Sequence, residues 1–528
     1  MIRTAPEEVW GEYQKGLAYN QAIGLFETVQ RNEDFFIGDQ WKGVNAPDMD
    51  KPVVNILKRP FSYLVASIMS DDIGISLSRY SDEKGDKALM EMLENQYKEL
   101  METAAVKKKW RNVLHDSAVD GDGCAHYFFD TEAQPNLKAD GVEQTPGVIK
   151  AEIIENTCVY FGNTESAEVE GQPWIILRYR RSVEQLKEWA AENGVDADLI
   201  QSDEEADATN AENERDKVTV LRKYWMDKGS LWFSEQTRSV TIRPPVNTGA
   251  TRYPLVWMPW ERVKNRYHGQ AVLTGMIPNQ IYRNKLVAMA NRHVYMLGFP
   301  KVVYNADLIE KWTNRVGEAI KAHGDPNQAI ANAFRAPDMS AQVMQLVQFL
   351  KDDTTEAVGA SDAALGNVKP DNTSAIIATQ KATAVPLELQ RMAFYDMVEE
   401  SCRIWLDMMA AHYGTRLVRI RKPTETGEEV MVTDVFDFGT LRGMDLRLEV
   451  EVGASTYWSE LTQAATLSNL FASGAISLEV YLKNLPEGML ANKNSILDAV
   501  EEEKKQAAMA AQLQTMGGMP YEMPAVQA

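Results

Sequence analysis

The chain of 528 residues sets 76 acidic against 55 basic side chains, a net charge of −21, which argues against a protein that grips nucleic acid through a basic face. Its 45% apolar content and mean hydropathy of −0.34 describe a globular, mostly water-facing protein with length for about three or four domains. Cys124, Cys158 and Cys402 are widely separated and form no CxxC pair, which argues against a disulfide framework or a zinc site.

Residues 1–40 are predicted helical, with Leu17, Ile23, Phe26 and Val29 at roughly helical steps. The opening MIRTAPEEVW lacks the basic-then-apolar pattern of a signal peptide, and a cytoplasmic protein, or one assembled there, is expected. A second helix is predicted over residues 59–70, and residues 72–78 alternate like a half-buried strand. The apolar run at residues 63–69 is far too short to span a bilayer, so no membrane is expected. Residues 86–120 are predicted as one long charged helix, whose KKKW run at residues 107–110 is a local basic spot on a solvated face.

From Gly121 the pattern changes to strands: CAHYFFDTEA, VIKAEIIENTCVYFG and WIILRYRRS, then a short helix starting at Ser182. Residues 203–216 are acidic and lack apolar periodicity, so a loop or mobile linker is expected. VTVLRKYWMD and SLWFSEQ are joined at Lys228-Gly229 with hairpin spacing, and SVTIRPP follows as a strand.

A long helix is predicted from about Pro278, a residue favoured in a first helical turn. Tyr282, Leu286, Met289, His293 and Met296 share one 80° sector in projection, at about 100° per residue. Gln280, Asn284 and Asn291 cluster on the opposite side, and Lys285 and Arg292 share a flank. The apolar sector is expected to pack and the polar side to face water or a neighbouring subunit, with His293 a packing residue. Residues 300–337 read as an insert of a short strand, a helix over ADLIEKWTNRVGEAIKAHG and an apolar return. A second helix over MSAQVMQLVQFLKDDTTEAVGA follows.

The loop GNVKPDN (Gly366, Asn367, Val368, Lys369, Pro370, Asp371, Asn372) then feeds a helical segment of about 40 residues that Thr373 or Ser374 can cap. Leu387, Phe394, Val398, Cys402, Trp405 and Met409 make one apolar face, and Pro386 is expected to kink the helix before Gly414 ends it. Strands RLVRIRKP, EEVMVTDVFDF and LRLEVEVG come next, then a pair of short helices around Gly474. A helix is predicted over residues 495–515, and the last residues are expected to be disordered.

No GxxxxGK[ST] loop, HExxH, GxSxG elbow or helix-leading GxGxxG occurs, and no two histidines stand at i, i+4. GDGCAHYFF feeds a strand rather than a helix, so it is discounted as a phosphate cradle. Acid pairs such as Asp352-Asp353 are common in so acidic a chain and carry little specificity. No catalytic residue, cofactor or metal ligand is expected.

The order of these elements resembles the portal (head–tail connector) proteins of tailed bacteriophages. Matching stretches are NEDFFIGDQW, KPVVNILKR and QPWIILRYRRSVEQLKEWA, and most strongly YHGQAVLTGMIPNQIYRNKLVAMANRH and KPDNTSAIIATQKATAVPLELQRMAFYDMVEE. The resemblance spans residues 35–482. It implies an α+β portal-type subunit with a mixed α/β wing, two-helix stem, small α/β clip, long kinked helix and α-helical crown. Its segments would be wing at 1–269, first stem helix at 270–298, clip at 299–338 and second stem helix at 339–358. A tunnel loop at 359–372, the kinked helix and wing return at 373–457, crown at 458–514 and tail at 515–528 would follow.

That resemblance also implies a homo-oligomeric ring of twelve at one capsid vertex of the virion, through whose channel double-stranded DNA is packaged and ejected. Implied partners are the terminase large subunit, scaffold and major capsid protein, and head-completion or tail adaptor proteins. The tunnel loop Gly366 to Asn372 would narrow the channel, Lys369 meeting the DNA backbone, with Gln280, Asn284, Lys285, Asn291 and Arg292 as polar or basic stem candidates. Other readings are a different phage structural protein, such as an adaptor or capsid component, and a cytoplasmic enzyme with an unrecognised site.

Overall fold

The computed structural model describes residues 4–485 and 496, apart from 48, 70–71, 80–85, 136–143, 195, 204–215, 300, 314, 316–318, 329, 335–338, 358–386, 424–428, 445 and 454–456. It is a mixed α+β protein with several sheets, in two compact units: residues 1–69 with 74–451, and residues 70–73 with 452–528.

The larger unit opens with α1 (Pro6–Ala22) and α2 (Leu25–Ile37). Gly24, in the left-handed region at φ 70°, separates them, so the predicted single helix is two. After α3 (Lys58–Met69) and β1 (Asp72–Arg79), the long helix expected at residues 86–120 is also two: α4 (Asp86–Thr103) and α5 (Val106–Asp120). Ala105 between them takes a φ of 49°, a conformation costing a non-glycine residue about 1–2 kcal/mol. The break lets α5 bury Val106, Trp110, Val113 and Leu114, which offsets that cost.

Strand β2 (Asp122–Asp130) is the centre of a three-stranded antiparallel sheet, flanked by β3 (Val148–Ile154) and β9 (Leu255–Pro259). A second, five-stranded antiparallel sheet runs in order β4 (Val159–Phe161), β5 (Ile175–Ser182), β6 (Lys217–Asp227), β7 (Ser230–Gln236), β8 (Thr241–Asn247). Lys228 and Gly229, at φ 50° and 77°, make the predicted β6–β7 hairpin, whose two positive φ angles match the right-handed strand twist. Helix α6 (Val183–Asn193) follows β5, and α1 packs Val9, Trp10 and Tyr13 on Tyr160, Ile176 and Leu221 of the larger sheet.

The core closes around α9 (Glu388–His412), and the predicted apolar face is buried at every position: Leu387 just before the helix, then Phe394, Val398, Cys402, Trp405 and Met409. Trp405 stacks on Trp110 of α5 (5.7 Å between ring centroids, 7° between planes) and meets Tyr127 of β2 edge-on at 5.6 Å. Each buried polar tip on Tyr127 and Tyr97 has a partner. Trp110 donates to the Tyr127 hydroxyl (3.1 Å), which donates to Ser401 (2.8 Å), and Tyr97 of α4 donates to the Cys402 carbonyl (3.1 Å). Strands β12 (Thr415–Pro423) and β13 (Glu429–Asp437) then pair antiparallel as predicted, and β14 (Leu446–Gly453) follows.

The smaller unit holds α10 (Tyr457–Ala472) and α11 (Leu478–Asn484), the predicted pair, separated at Gly474 (φ 74°) and joined by stacked Phe471 and Tyr481 rings at 5.1 Å.

Candidate functional site

The element with the most unusual surface is a helical hairpin. Helix α7 (Val272–Gly298), about 40 Å long at 1.5 Å per residue, leads through β10 (Lys301–Tyr304) and β11 (Ile330–Phe334) to α8 (Ala341–Ala357). Strands β10 and β11 pair antiparallel, and Asn279 near the start of α7 donates to Asp353 (3.1 Å) and Thr354 (3.0 Å) near the end of α8. The two helices therefore run antiparallel.

Helix α7 begins a turn and a half earlier than predicted, and Pro278 lies inside it on an exposed position rather than in its first turn. Its start is fixed from upstream. His268 Nδ1 lies 2.7 Å from Asp122, Gly269 N–H donates to the same carboxylate (2.6 Å), and the Tyr267 hydroxyl donates to Asn20 (3.1 Å). Gly269 is required there, because a Cβ would come within 2.7 Å of Pro259 Cβ and 2.9 Å of the Gly121 carbonyl. The Tyr-His-Gly triplet is thus a structural lock, a role that its spacing alone did not reveal.

The predicted orientation of α7 is inverted. Gln280 and Asn284, expected to face water or a neighbour, are 0% and 4% exposed, whereas Tyr282 and Met289, expected to pack, are 61% and 59% exposed. Hydrogen bonding is the reason. Gln280 accepts from the Ile56 N–H (2.9 Å) and donates to the Val54 carbonyl (3.1 Å) and Asn284 (2.8 Å); Asn284 donates to Gln40 (2.7 Å), which donates to the Phe35 carbonyl (2.9 Å). This amide ladder satisfies the irregular backbone between α2 and α3, so burying two amides costs little. Gln280 and Asn284 are fasteners inside the subunit. Lys285 and Arg292 are exposed, with the Lys285 ammonium 5.9 Å from the Tyr282 ring centroid, and Asn291 and His293 are half-buried.

Towards its end α7 is apolar on all sides and still exposed. Val294, Tyr295, Met296, Leu297 and Phe299 are each at least 43% exposed, and these positions span more than a full turn. Helix α8 likewise exposes Met344, Leu346 and Phe349. On α7 the buried Nε and one terminal nitrogen of Arg283, and Nε2 of His293, have no hydrogen-bond partner among the described residues. A separate cleft of ≈ 580 Å³ lies between α2 and the middle of α7, lined by Phe35, Trp41, Val44, Ile281 and Lys285 among others.

The segment between β10 and β11 is not the predicted helix. The described residues from 305 to 325 are irregular apart from one turn at 306–308, with His323 N–H donating to the Leu308 carbonyl (2.9 Å) and Trp312 stacked on Tyr304 at 6.0 Å. Folding the apolar groups back on the hairpin wins over helix propensity there. Gly366, Asn367, Val368, Lys369, Pro370, Asp371 and Asn372, and the kink residue Pro386, lie outside the described residues, as do most of the acidic loop at 203–216 and the helix expected at 495–515.

One polar constellation was not foreseen because its members are far apart in sequence. Buried His126 has Nδ1 2.7 Å from Glu152 and Nε2 2.8 Å from the Tyr224 hydroxyl, and Tyr179 donates to Glu152 at 2.7 Å. Burial opposes the charge on Glu152, but the hydrogen bonds from His126 and Tyr179 outweigh it and bring the carboxyl to about 2. Burial pushes His126 down and Tyr224 up to about 12, so a neutral imidazole donates to Glu152 and accepts from a phenol that keeps its proton. Such a phenol is a poor nucleophile, and the chain of donors reads as core polarity rather than a reacting group.

Among the described residues no group of three His, Cys, Asp or Glu side chains could hold a metal ion, and no helix is long and apolar enough to cross a membrane. Cys124, Cys158 and Cys402 are free thiols. Compared with known proteins, the chain matches no family model and no curated sequence.

Proposed function

We propose that the chain is a portal subunit: it closes with further copies, twelve in the family it resembles, into a ring at a capsid vertex through which double-stranded DNA passes. One observation carries the reading. The α7–α8 hairpin ends in a helix apolar all round yet uncovered by its own subunit, and such a helix is stable in water only when another surface buries it. A second copy supplies that surface without a further gene product, and a helical pair repeated round a ring buries one subunit's exposed face against the next. In this reading α7 and α8 are the stem, and the β10–β11 hairpin with its turns is the clip where the terminase large subunit and then the head-completion or tail proteins dock.

The net charge of −21 suits a channel that lets DNA slide, because many lysine or arginine contacts to phosphate would hold it. Lys369 supplies transient contact at the constriction, and Lys285 and Arg292, both exposed on α7, are the stem cations left once Gln280 and Asn284 are assigned to the interior. Electron microscopy of the purified protein tests the reading. End-on particles with a central hole support it, and particles that stay monomeric at high concentration with scaffold protein present refute it. In a packaging reaction, Lys369→Glu is expected to lower DNA retention while rings still form; normal packaging by that variant removes Lys369 from the channel.

A further inference from the structure

The five-stranded sheet gathers arginines on the face turned away from α1. Leu177, Arg222, Glu235 and Arg243 stand in one cross-strand row over β5, β6, β7 and β8, and strand alternation puts Tyr179 and Arg181 on the same face as Leu177. Arg222 donates through Nε to Glu235 (2.6 Å), and Arg243 Nε lies 3.5 Å from the other oxygen of that carboxylate. The guanidinium carbons of Arg222 and Arg181 lie 5.3 Å and 5.6 Å from the Tyr179 ring centroid. Among the described residues Arg181 has no carboxylate partner within ion-pair distance.

Three guanidiniums face two carboxylates, the buried Glu235 and the Glu152 that Tyr179 holds, which leaves one positive charge in excess in a protein whose net charge is −21. They are not spread over open surface. Arg181, Arg222 and Arg243 line a cleft of ≈ 610 Å³, together with Tyr224 and Phe233. The other charges in its lining are already matched or stand on β2 and the turn after it: Arg252 pairs with Glu400 (2.5 Å), Asp130 with Lys150 (2.6 Å), and Glu132 is exposed. The excess therefore belongs to the β5–β8 end of the cleft.

We propose that this cleft binds a phosphate ester, with the dianionic phosphate on Arg181, Arg222 and Arg243 and the remainder against Tyr224 and Phe233. A planar carboxylate needs only one or two guanidinium forks, and Glu235 already fills that role. The terminal oxygens of a phosphate use donors from all three arginines, and its negative charge offsets the excess. A bare ion fills little of the volume, which lies within the 300–1,000 Å³ range usual for small-molecule sites. None of these residues belongs to α7 or α8, so the site stands whether or not the chain forms a ring.

Calorimetric titration of the full chain with inorganic phosphate and with adenosine monophosphate, in chloride buffer, tests it. Saturable binding is expected for both, tighter for the nucleotide, and weaker by roughly tenfold in Arg181→Gln and in Arg243→Gln. Both arginines are partly exposed, so thermal unfolding of these variants should match wild type and separate lost binding from lost fold. Glu235→Gln is expected to tighten binding, since it removes the competing carboxylate. No saturable binding, or affinities unchanged in both arginine variants, overturns the site; equal affinity for phosphate and nucleotide overturns the ester.

Discussion

Around Trp405, large side chains from α4, α5, β2 and α9 close on one another, and the polar tips of Trp110, Tyr127 and Tyr97 find partners inside the cluster. At the end of α7, side chains of the same kind, Tyr295, Met296, Leu297 and Phe299, stay 43–60% exposed. Burial is the same physical force in both places, so the difference lies in what it stabilises. The first region holds the subunit together. The second leaves apolar surface for a partner to cover, which is why the proposed assembly rests on the hairpin rather than on the sheets.

The contrast can be broken most forcefully at Trp405. Trp405→Ala is expected to cost about 3–5 kcal/mol in urea unfolding of the subunit, whereas Tyr295→Ala should change subunit stability by less than about 0.5 kcal/mol. Comparable costs at the two positions would mean that the end of α7 is packed within the subunit after all. Gln280→Ala comes next, at about 2 kcal/mol, because it leaves the Ile56 N–H and the Val54 carbonyl unpaired at the base of α7. A near-zero cost would show that water replaces the amide and that the ladder does not anchor the hairpin.

An effect of opposite sign is expected at Asp120, which ends α5, where a negative charge opposes the helix dipole. Burial and the carboxylates of Glu33, Asp116, Glu155 and Asp122 push its pKa up to about 8, and its Oδ1 is buried without a partner among the described residues. The folded group therefore keeps a proton that the unfolded chain, with a pKa of about 3.9, releases. Its contribution is full below about pH 4 and is lost as pH rises through about 8. Asp120→Asn should remove that slope and stabilise the fold at pH 7. An unchanged pH profile would show that Asp120 is ionised in the fold.

Much of this was legible in the sequence. The apolar face of α9, the Lys228-Gly229 hairpin, the β12–β13 pair and the two helices around Gly474 all follow from periodicity and turn chemistry, which are local. The face of α7 was not legible, because amides look like solvent-facing residues until the backbone they satisfy is known. Gln280 finds Val54 and Ile56 more than 220 positions away, and no pattern within α7 records that. The breaks at Gly24 and Ala105 failed differently: helix formers continue across both, and only the burial won by turning the chain shows why it bends. The His126–Glu152 pair and the arginine row are cross-strand neighbours, visible only once register is fixed, and Tyr224 reaches His126 from the other sheet.

The central claim, that the uncovered end of α7 is where copies of this chain meet, is tested most directly by sedimentation velocity on wild type beside the double variant Met289→Glu/Tyr295→Glu. Both positions are more than half exposed, so the variant should unfold like wild type while its assemblies dissociate to monomer, and wild type should sediment as a large closed oligomer. A wild type that remains monomeric at every concentration with scaffold protein present, or a variant that assembles as wild type does, would contradict the account.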